Sequence, residues 1–562
     1  MPSLKQTVKT IDFARNYFRH ITLCYHSTLD GNKISFYTNN LQIAPYLSQD
    51  FDLITFKKLF NLCQNNGVFD LHFSNHIPCV TFNAAAKHMT RKWPRDHMGM
   101  IPLIAECYPD ELWHGLLQWC NAYSAPEEIK GFERVFKKPA CARHNHGIAH
   151  VFWQNSDGSL RRDVNWKMNQ RIESHGEFLR CLTSETITRI KKNLPVPSQV
   201  IQTIVRLTHY LYIQGISPQS CGPWEEIPFA NGCNWDNLSV VQAFKQVINL
   251  QNELILHSLQ QKKFQSFDNR LSNSFKLTPL FSDISHLDDF IIQSSSAIRH
   301  FYLQEFRGAT SRVDSSLTML AAEDFDFSVN GDLLINIRKH LKVLAKFEKH
   351  LLHKFGAWRY NSFKTTVDGQ EIISCDSYLN LNYYLLCDKD GFLYQQKNNL
   401  ACRFDNNINT PNDNGVSNFT QRALAAKEKT SAQWGLPLSY TAIAYGKLVA
   451  LLLNKRDKSG KLSSAEQQLL NFCFNKEQEF IKRTYATISG CCKDGTPFLK
   501  ADGQPIAAFR KPEAYQAVTS CIGGKDFAYI PGVNDHLGWD AAKCFEASQL
   551  FLSNLRRFEL FS

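Results

Sequence analysis

The sequence predicts an all-α protein: one helical domain behind an N-terminal extension with room for a few strands. Two observations carry this. Apolar residues recur at the helical period over most of the 562 residues. The helices are separated by long polar loops rather than by turn-bounded alternating runs, and no solenoid-period repeat or low-complexity linker interrupts them.

Taken in order, periodicity places helices near 6–24, 98–122, 169–191, 197–214, 237–262, 284–306, 331–355, 434–454, 463–484 and 537–557. Ser463-Ser464-Ala465-Glu466 reads as a helix start, with a capping oxygen and a carboxylate three residues on. Short alternating runs at Ile34–Tyr37, Val68–Phe73 and Val80–Phe82 suggest strands within the first 90 residues. The stretches 125–165, 215–236, 356–432 and 485–536 read as loops. Loops of that length in a compact domain are typically functional or disordered, and these four hold most of the chemically interesting residues.

Composition narrows the function classes. Hydrophobic residues at 43% and charged residues at 20% are ordinary for a folded soluble chain. Aromatics reach 12%, which suits a large core or a carbohydrate cleft. The net charge of +11 is spread along the chain in short pairs such as Lys137-Lys138 and Lys191-Lys192. Scattered basic residues read as a solvated surface, and no nucleic-acid-binding signature accompanies them. The 17 cysteines show no C-x-x-C pair, so free thiols in a reducing compartment are expected. No run of 18 apolar residues suggests a membrane span. The opening Met1-Pro2-Ser3-Leu4-Lys5 leads into a charged amphipathic stretch, not an apolar signal core. A cytoplasmic location is expected, and export by a signal-independent route stays open.

Four motifs carry the chemistry. Trp93-Pro94-Arg95-Asp96 opens a helix, and its Arg–Asp pair can hold sugar hydroxyls or simply cap the helix with an ion pair. Trp224-Glu225-Glu226 sits behind a glycine-proline turn signal. There the indole and the neighbouring carboxylate would both raise the pKa of Glu225, as a general acid requires; the ordinary alternative is a solvated acidic loop. Trp358-Arg359-Tyr360 offers a planar guanidinium for vicinal hydroxyls or for a structural ion pair with Asp376. Lys511-Pro512-Glu513 fixes the backbone just ahead of a carboxylate, and Leu537-Gly538-Trp539-Asp540 opens the last helix.

His144, His146 and His150 lack a matching cysteine or acid at helical spacing, so they read as hydrogen-bonding residues and no metal site is assigned. Asp405-Asn406-Asn407-Ile408-Asn409 has alternating oxygen ligands but lacks the glycine and terminal glutamate of an EF-hand. A turn-rich loop accounts for it. No phosphate-binding or dinucleotide fingerprint occurs.

In their order and spacing the four motifs resemble glycoside hydrolase family 15, the glucoamylase-like enzymes, and the related domain of phosphorylase kinase regulatory subunits. Asp157-Gly158 through Trp166 to Phe178-Leu179 and Trp434-Gly435-Leu436-Pro437 extend the resemblance across about residues 90–557. It implies an (α/α)6 barrel over 91–562, with residues 1–90 packed on it as an N-terminal extension. It implies Glu225 as general acid, Glu226 as its substrate-contacting neighbour and Glu513 as the base that activates water. Arg95 and Asp96 would grip the terminal glucose, Arg359 would contact the same sugar, and Trp93, Trp224 and Trp539 would line the pocket. No cofactor or metal is implied, and the implied partner is an α-glucan (glycogen, starch or maltodextrin), with no nucleic acid or membrane.

The implied reaction is inverting, exo-acting hydrolysis that releases glucose from non-reducing ends. Its two carboxyl groups would stand roughly 6.5–9.5 Å apart to admit water. Trehalose or isomalto-oligosaccharides as substrates, and a catalytically silent glucan-binding regulatory protein, stay open as alternatives. The chain departs from the family pattern at Arg171-Ile172-Glu173, where glutamine-x-aspartate is usual, and in a longer loop between Tyr360 and Asp376.

Overall fold

A computed structural model describes residues 19–24, 33–40, 42–79, 91–142, 147–149, 151–155, 157–162, 172–216, 233–300, 313–323, 333–353, 356–359, 363–367, 370–374, 385–387, 393–395, 433–490, 509–512, 514–519, 527–531 and 536–560. The fold is all-α, with short antiparallel strand pairs beside the helices.

In chain order the helices are α1 (Ala44–Leu47), α2 (Leu53–Asn65), α3 (Pro94–Cys107), α4 (Pro109–Tyr123), α5 (Pro126–Lys137), α6 (Ile172–Lys191), α7 (Ser198–Ile213), α8 (Asn234–Ile255) and α9 (Ser258–Phe275). They continue as α10 (Ser285–His300), α11 (Ser316–Glu323), α12 (Leu333–Leu351), α13 (Leu436–Ser459), α14 (Ser464–Ala486) and α15 (Gly538–Glu559). By contacts the chain forms two units. One comprises 71–80 and 84–310, and the other comprises 1–70, 81–83 and 311–562.

In the first unit α3 packs on α6, and α6 packs on α8. These helices are buried nearly all round over their N-terminal halves; every residue of Ile172–Leu179 and of Asn234–Val241 is buried. Such burial marks an inner helix. Around them α4, α7 and α9 pack side by side with one buried face each. Trp119, Tyr123, Phe178, Tyr210 and Phe244 fill the space between the layers. Inner helices approach closely where residues are small: a Cβ on Gly176 would stand 2.7 Å from Ser239 Oγ.

The second unit repeats the scheme. Here α11 packs on α13 and α13 on α15, flanked by α12, α14 and α2 respectively. Helix α2 belongs to this layer because Phe56, Leu59, Phe60 and Cys63 recur at helical spacing and are buried. Phe56 meets Phe551 edge-on at 4.8 Å. Among the described helices α13 alone is long and apolar enough to cross a membrane, and most of its apolar stretch is buried inside the protein.

Most expected helices are present, with corrections. The 98–122 and 237–262 segments are each two helices, split before Pro109 and at His257. Proline cannot donate to the preceding turn and takes the first helical position instead. The expected helix at 6–24 fails over its described part: Arg19–Cys24 is strand β1, paired antiparallel with β2 (Lys33–Thr38). A cross-strand partner overrides the marginal amphipathicity of so short a run. The 125–165 stretch is no continuous loop, since it holds α5, a 3-10 turn at Pro139–Ala142 and the pair β3 (Phe152–Gln154) and β4 (Leu160–Arg162). The capping box at Ser463 and Glu466 forms as expected. Nine of the described cysteines, Cys63 and Cys473 among them, are free.

One buried node predicts a pH response. Asn554 Nδ2 donates to the Gly446 carbonyl at 2.8 Å and to both Glu477 carboxyl oxygens at 3.0 and 3.2 Å, tying α13, α14 and α15 together. A Cβ on Gly446 would meet Glu477 Oε1 at 2.6 Å, which explains a glycine mid-helix. Burial pushes the Glu477 carboxyl up to about 8, with Asn554 opposing. The folded state therefore binds a proton that the unfolded chain releases above its ordinary value. The resulting stabilisation is complete below about pH 4.5 and is lost as pH rises toward about 8. The thermal midpoint is expected to fall between pH 5 and 8, and Glu477→Gln, which cannot titrate, should flatten that slope.

Candidate active site

Several buried polar residues lie in the N-terminal turns of the inner helices. In the first unit, Trp93 is the N-cap of α3 and Pro94 its first residue. Arg95 and Asp96 follow at 8% and 6% exposure, too buried for a solvated surface pair. Arg95 Nε donates to Asp96 Oδ1 at 3.1 Å, and Arg95 Nη1 stands 3.9 Å from Glu173 Oε1. Ser174 Oγ donates to the same Glu173 oxygen at 3.2 Å. Asp96, Glu173 and Asp236 each occupy the first turn of their helix, where the helix dipole favours a carboxylate.

His97, next along α3, is tied into the core. Its Nδ1 accepts from the Trp119 indole at 2.8 Å. Burial, with Lys92 adding to it, pushes its pKa down to about 3.

In the second unit, Arg359 lies in the segment before β5 (Phe363–Val367), 4.5 Å over the ring of Trp434. Its carbonyl accepts from Ser315 N at 2.6 Å, just ahead of α11. Trp434 in turn lies in β6 (Gln433–Trp434), which pairs with β7 (Ala514–Thr519) so that Trp434 faces Ala514. Trp539 donates its indole hydrogen to Tyr440 Oη at 3.2 Å. Lys543, one turn further along α15, sits 5.1 Å over the Tyr440 ring and binds Glu323 at 3.3 Å and Glu546 at 2.8 Å. Burial works against its charge, but Glu546, Tyr440 and Glu323 outweigh it and hold the ammonium well above its usual pKa.

No protein-family model matches the chain, and no curated protein does. Among solved structures the chain is similar to the glucoamylase of Hormoconis resinae. The two are 12% identical with a TM-score of 0.46, over 89% of this chain and 73% of that one.

Of the residues singled out from sequence, Trp93, Arg95 and Asp96 come together in the first unit, and Arg359 and Trp539 lie in the second. Trp224, Glu225, Glu226 and Glu513 lie outside the described residues. So do Arg171, His144, His146, His150, Asp376 and the 405–409 stretch.

Sequence reasoning passed over Glu173, Trp434, Tyr440 and Lys543 as site candidates. Glu173 carried a signal: like Asp96, Asp236 and Asp540, it is an acid in the first turn of an inner helix. Tyr440 and Lys543 carried none, because each is recognisable only by its contact with the other. Chemically, each unit holds its own cluster of groups suited to binding polar ligands. Buried guanidinium–carboxylate groups can trade hydrogen bonds with hydroxyls, and indole edges and faces can pack on a sugar ring.

Proposed function

We propose that this chain is an inverting, exo-acting α-glucan hydrolase that releases glucose from the non-reducing ends of glycogen, starch or maltodextrins. Glu225 donates a proton to the leaving oxygen, and Glu513 draws a proton from the attacking water. Arg95, Asp96 and Arg359 hold the terminal sugar, with Glu226, Trp93, Trp224 and Trp539 around it. No cofactor enters the reaction. The observation that supports this best is the buried Arg95–Asp96 pair beside Glu173. Desolvating three charged groups at two helix starts contributes little net stability, so a role in binding explains their burial better than a role in folding.

The test is to incubate the purified chain with glycogen and with maltoheptaose and to follow the products by proton NMR. Glucose appearing first as the β-anomer is expected, since a single displacement by water inverts the α-linkage. No glucose from either substrate, or glucose appearing first as the α-anomer, would overturn the assignment.

A further inference from the structure

The segment entering residue 513 is held by an unusual set of ties. Phe509 N donates to the Asn66 carbonyl at 3.2 Å, and Arg510 and Ser489 exchange backbone hydrogen bonds at 3.0 and 2.7 Å. Lys511 N donates to His536 Nδ1 at 3.2 Å, and the Lys511 carbonyl accepts from Leu537 N at 2.7 Å. On the far side, Ala514 faces Trp434, and Tyr515 Oη donates to the Thr487 carbonyl at 3.2 Å.

The Lys511 side chain is fully buried. Its ammonium donates to the Thr484 carbonyl at 2.7 Å and to Thr487 Oγ1, and stands 3.5 Å from Asp540 Oδ2. Asp540, also fully buried, accepts from Ser439 Oγ at 2.8 Å through its other oxygen. A Cβ on Gly435 would overlap Asp540 Oδ2, so the start of α13 is shaped around this carboxylate. One ammonium thus complements the carbonyl end of α14 and an acid in the first turn of α15, while that acid binds the first turn of α13. Both charges sit where the helix dipoles favour them.

We propose that Lys511, through Asp540, is a positioning residue that fixes the residues on either side of Glu513. The proposal rests on the hydrolase reading given above. A buried ion pair adds little net stability over apolar groups of the same size, so its worth lies in fixing one arrangement of three helix ends and one strand.

Lys511→Met alone would strand a buried carboxylate and threaten folding. The neutral pair Lys511→Met/Asp540→Asn avoids this. In the full-length double variant, hydrogen exchange at residues 509–511 and 514–515 is expected to rise about tenfold or more, with exchange in α7 unchanged. Glucose release should fall about 10- to 100-fold in kcat, with KM within about twofold, as for a group displaced rather than removed. Unchanged exchange at 509–511 and 514–515, or full turnover in the double variant, would overturn the proposal. A wild-type chain that releases no glucose, while the double variant still frees those amides, would overturn the hydrolase reading and leave the anchor standing.

Discussion

Glu225→Gln and Glu513→Gln are each expected to cut glucose release from glycogen by on the order of 10²-fold or more, with substrate binding largely kept. Glutamine has nearly the size and hydrogen-bonding capacity of glutamate but neither donates nor accepts the transferred proton. Losing a group used only in the transition state lowers kcat and kcat/KM together. The two variants should also separate in pH dependence. A base must be ionised, so Glu513 would shape the acidic limb of the rate profile. An acid must be protonated, so Glu225 would shape the alkaline limb. Each variant should lose its own limb, as read from initial rates on maltoheptaose across pH. Undiminished turnover in either variant would remove that residue's role and send the search to other carboxylates.

The second large effect is on stability. Glu128 on α5 is completely buried. Arg162 donates to it twice, Nε to Oε1 at 2.6 Å and Nη2 to Oε2 at 2.8 Å. Arg162 Nη2 also donates to the Gly147 carbonyl at 2.7 Å, and Ala149 N donates to Glu128 Oε2 at 2.7 Å. One carboxylate therefore secures α5, the 147–149 segment and β4. Glu128→Ala would leave a mostly buried guanidinium and an amide without their acceptor, at a cost of about 3–5 kcal/mol. Arg162→Ala should cost a comparable amount by stranding the carboxylate. The double change Glu128→Leu/Arg162→Leu should cost less than either single change, because no charge is then left alone. Urea unfolding of the four proteins measures this. A double variant less stable than both singles would show that the pair itself, rather than the penalty of orphaning one member, stabilises the fold.

Much of the helical frame was written locally. Trp93-Pro94 opens α3, Ser463 and Glu466 cap α14, and Trp434-Gly435-Leu436-Pro437 leads into α13, all where local chemistry places a helix start. Helices α2 and α5 were equally legible and were passed over. The first shows buried residues at i, i+3, i+4 and i+7. The second has Pro126 at its start, acids in its first turn and Arg134 and Lys137 in its last. Reading 125–165 as a loop gave weight to its polarity rather than to its spacing. By contrast, nothing local distinguishes Arg19–Cys24 as a strand, because its pairing partner lies nine or more residues away.

The sequence by itself determined the all-α class and several helix starts, because capping, proline placement and apolar period act over a few neighbouring residues. Only the tertiary structure decided that Glu173 stands beside Arg95, that Lys511 answers Asp540, and that Lys543 lies over Tyr440. Each of those contacts joins residues from separate helices or segments. A charge becomes consequential when water is excluded around it, and exclusion depends on which helices pack, which no local pattern records.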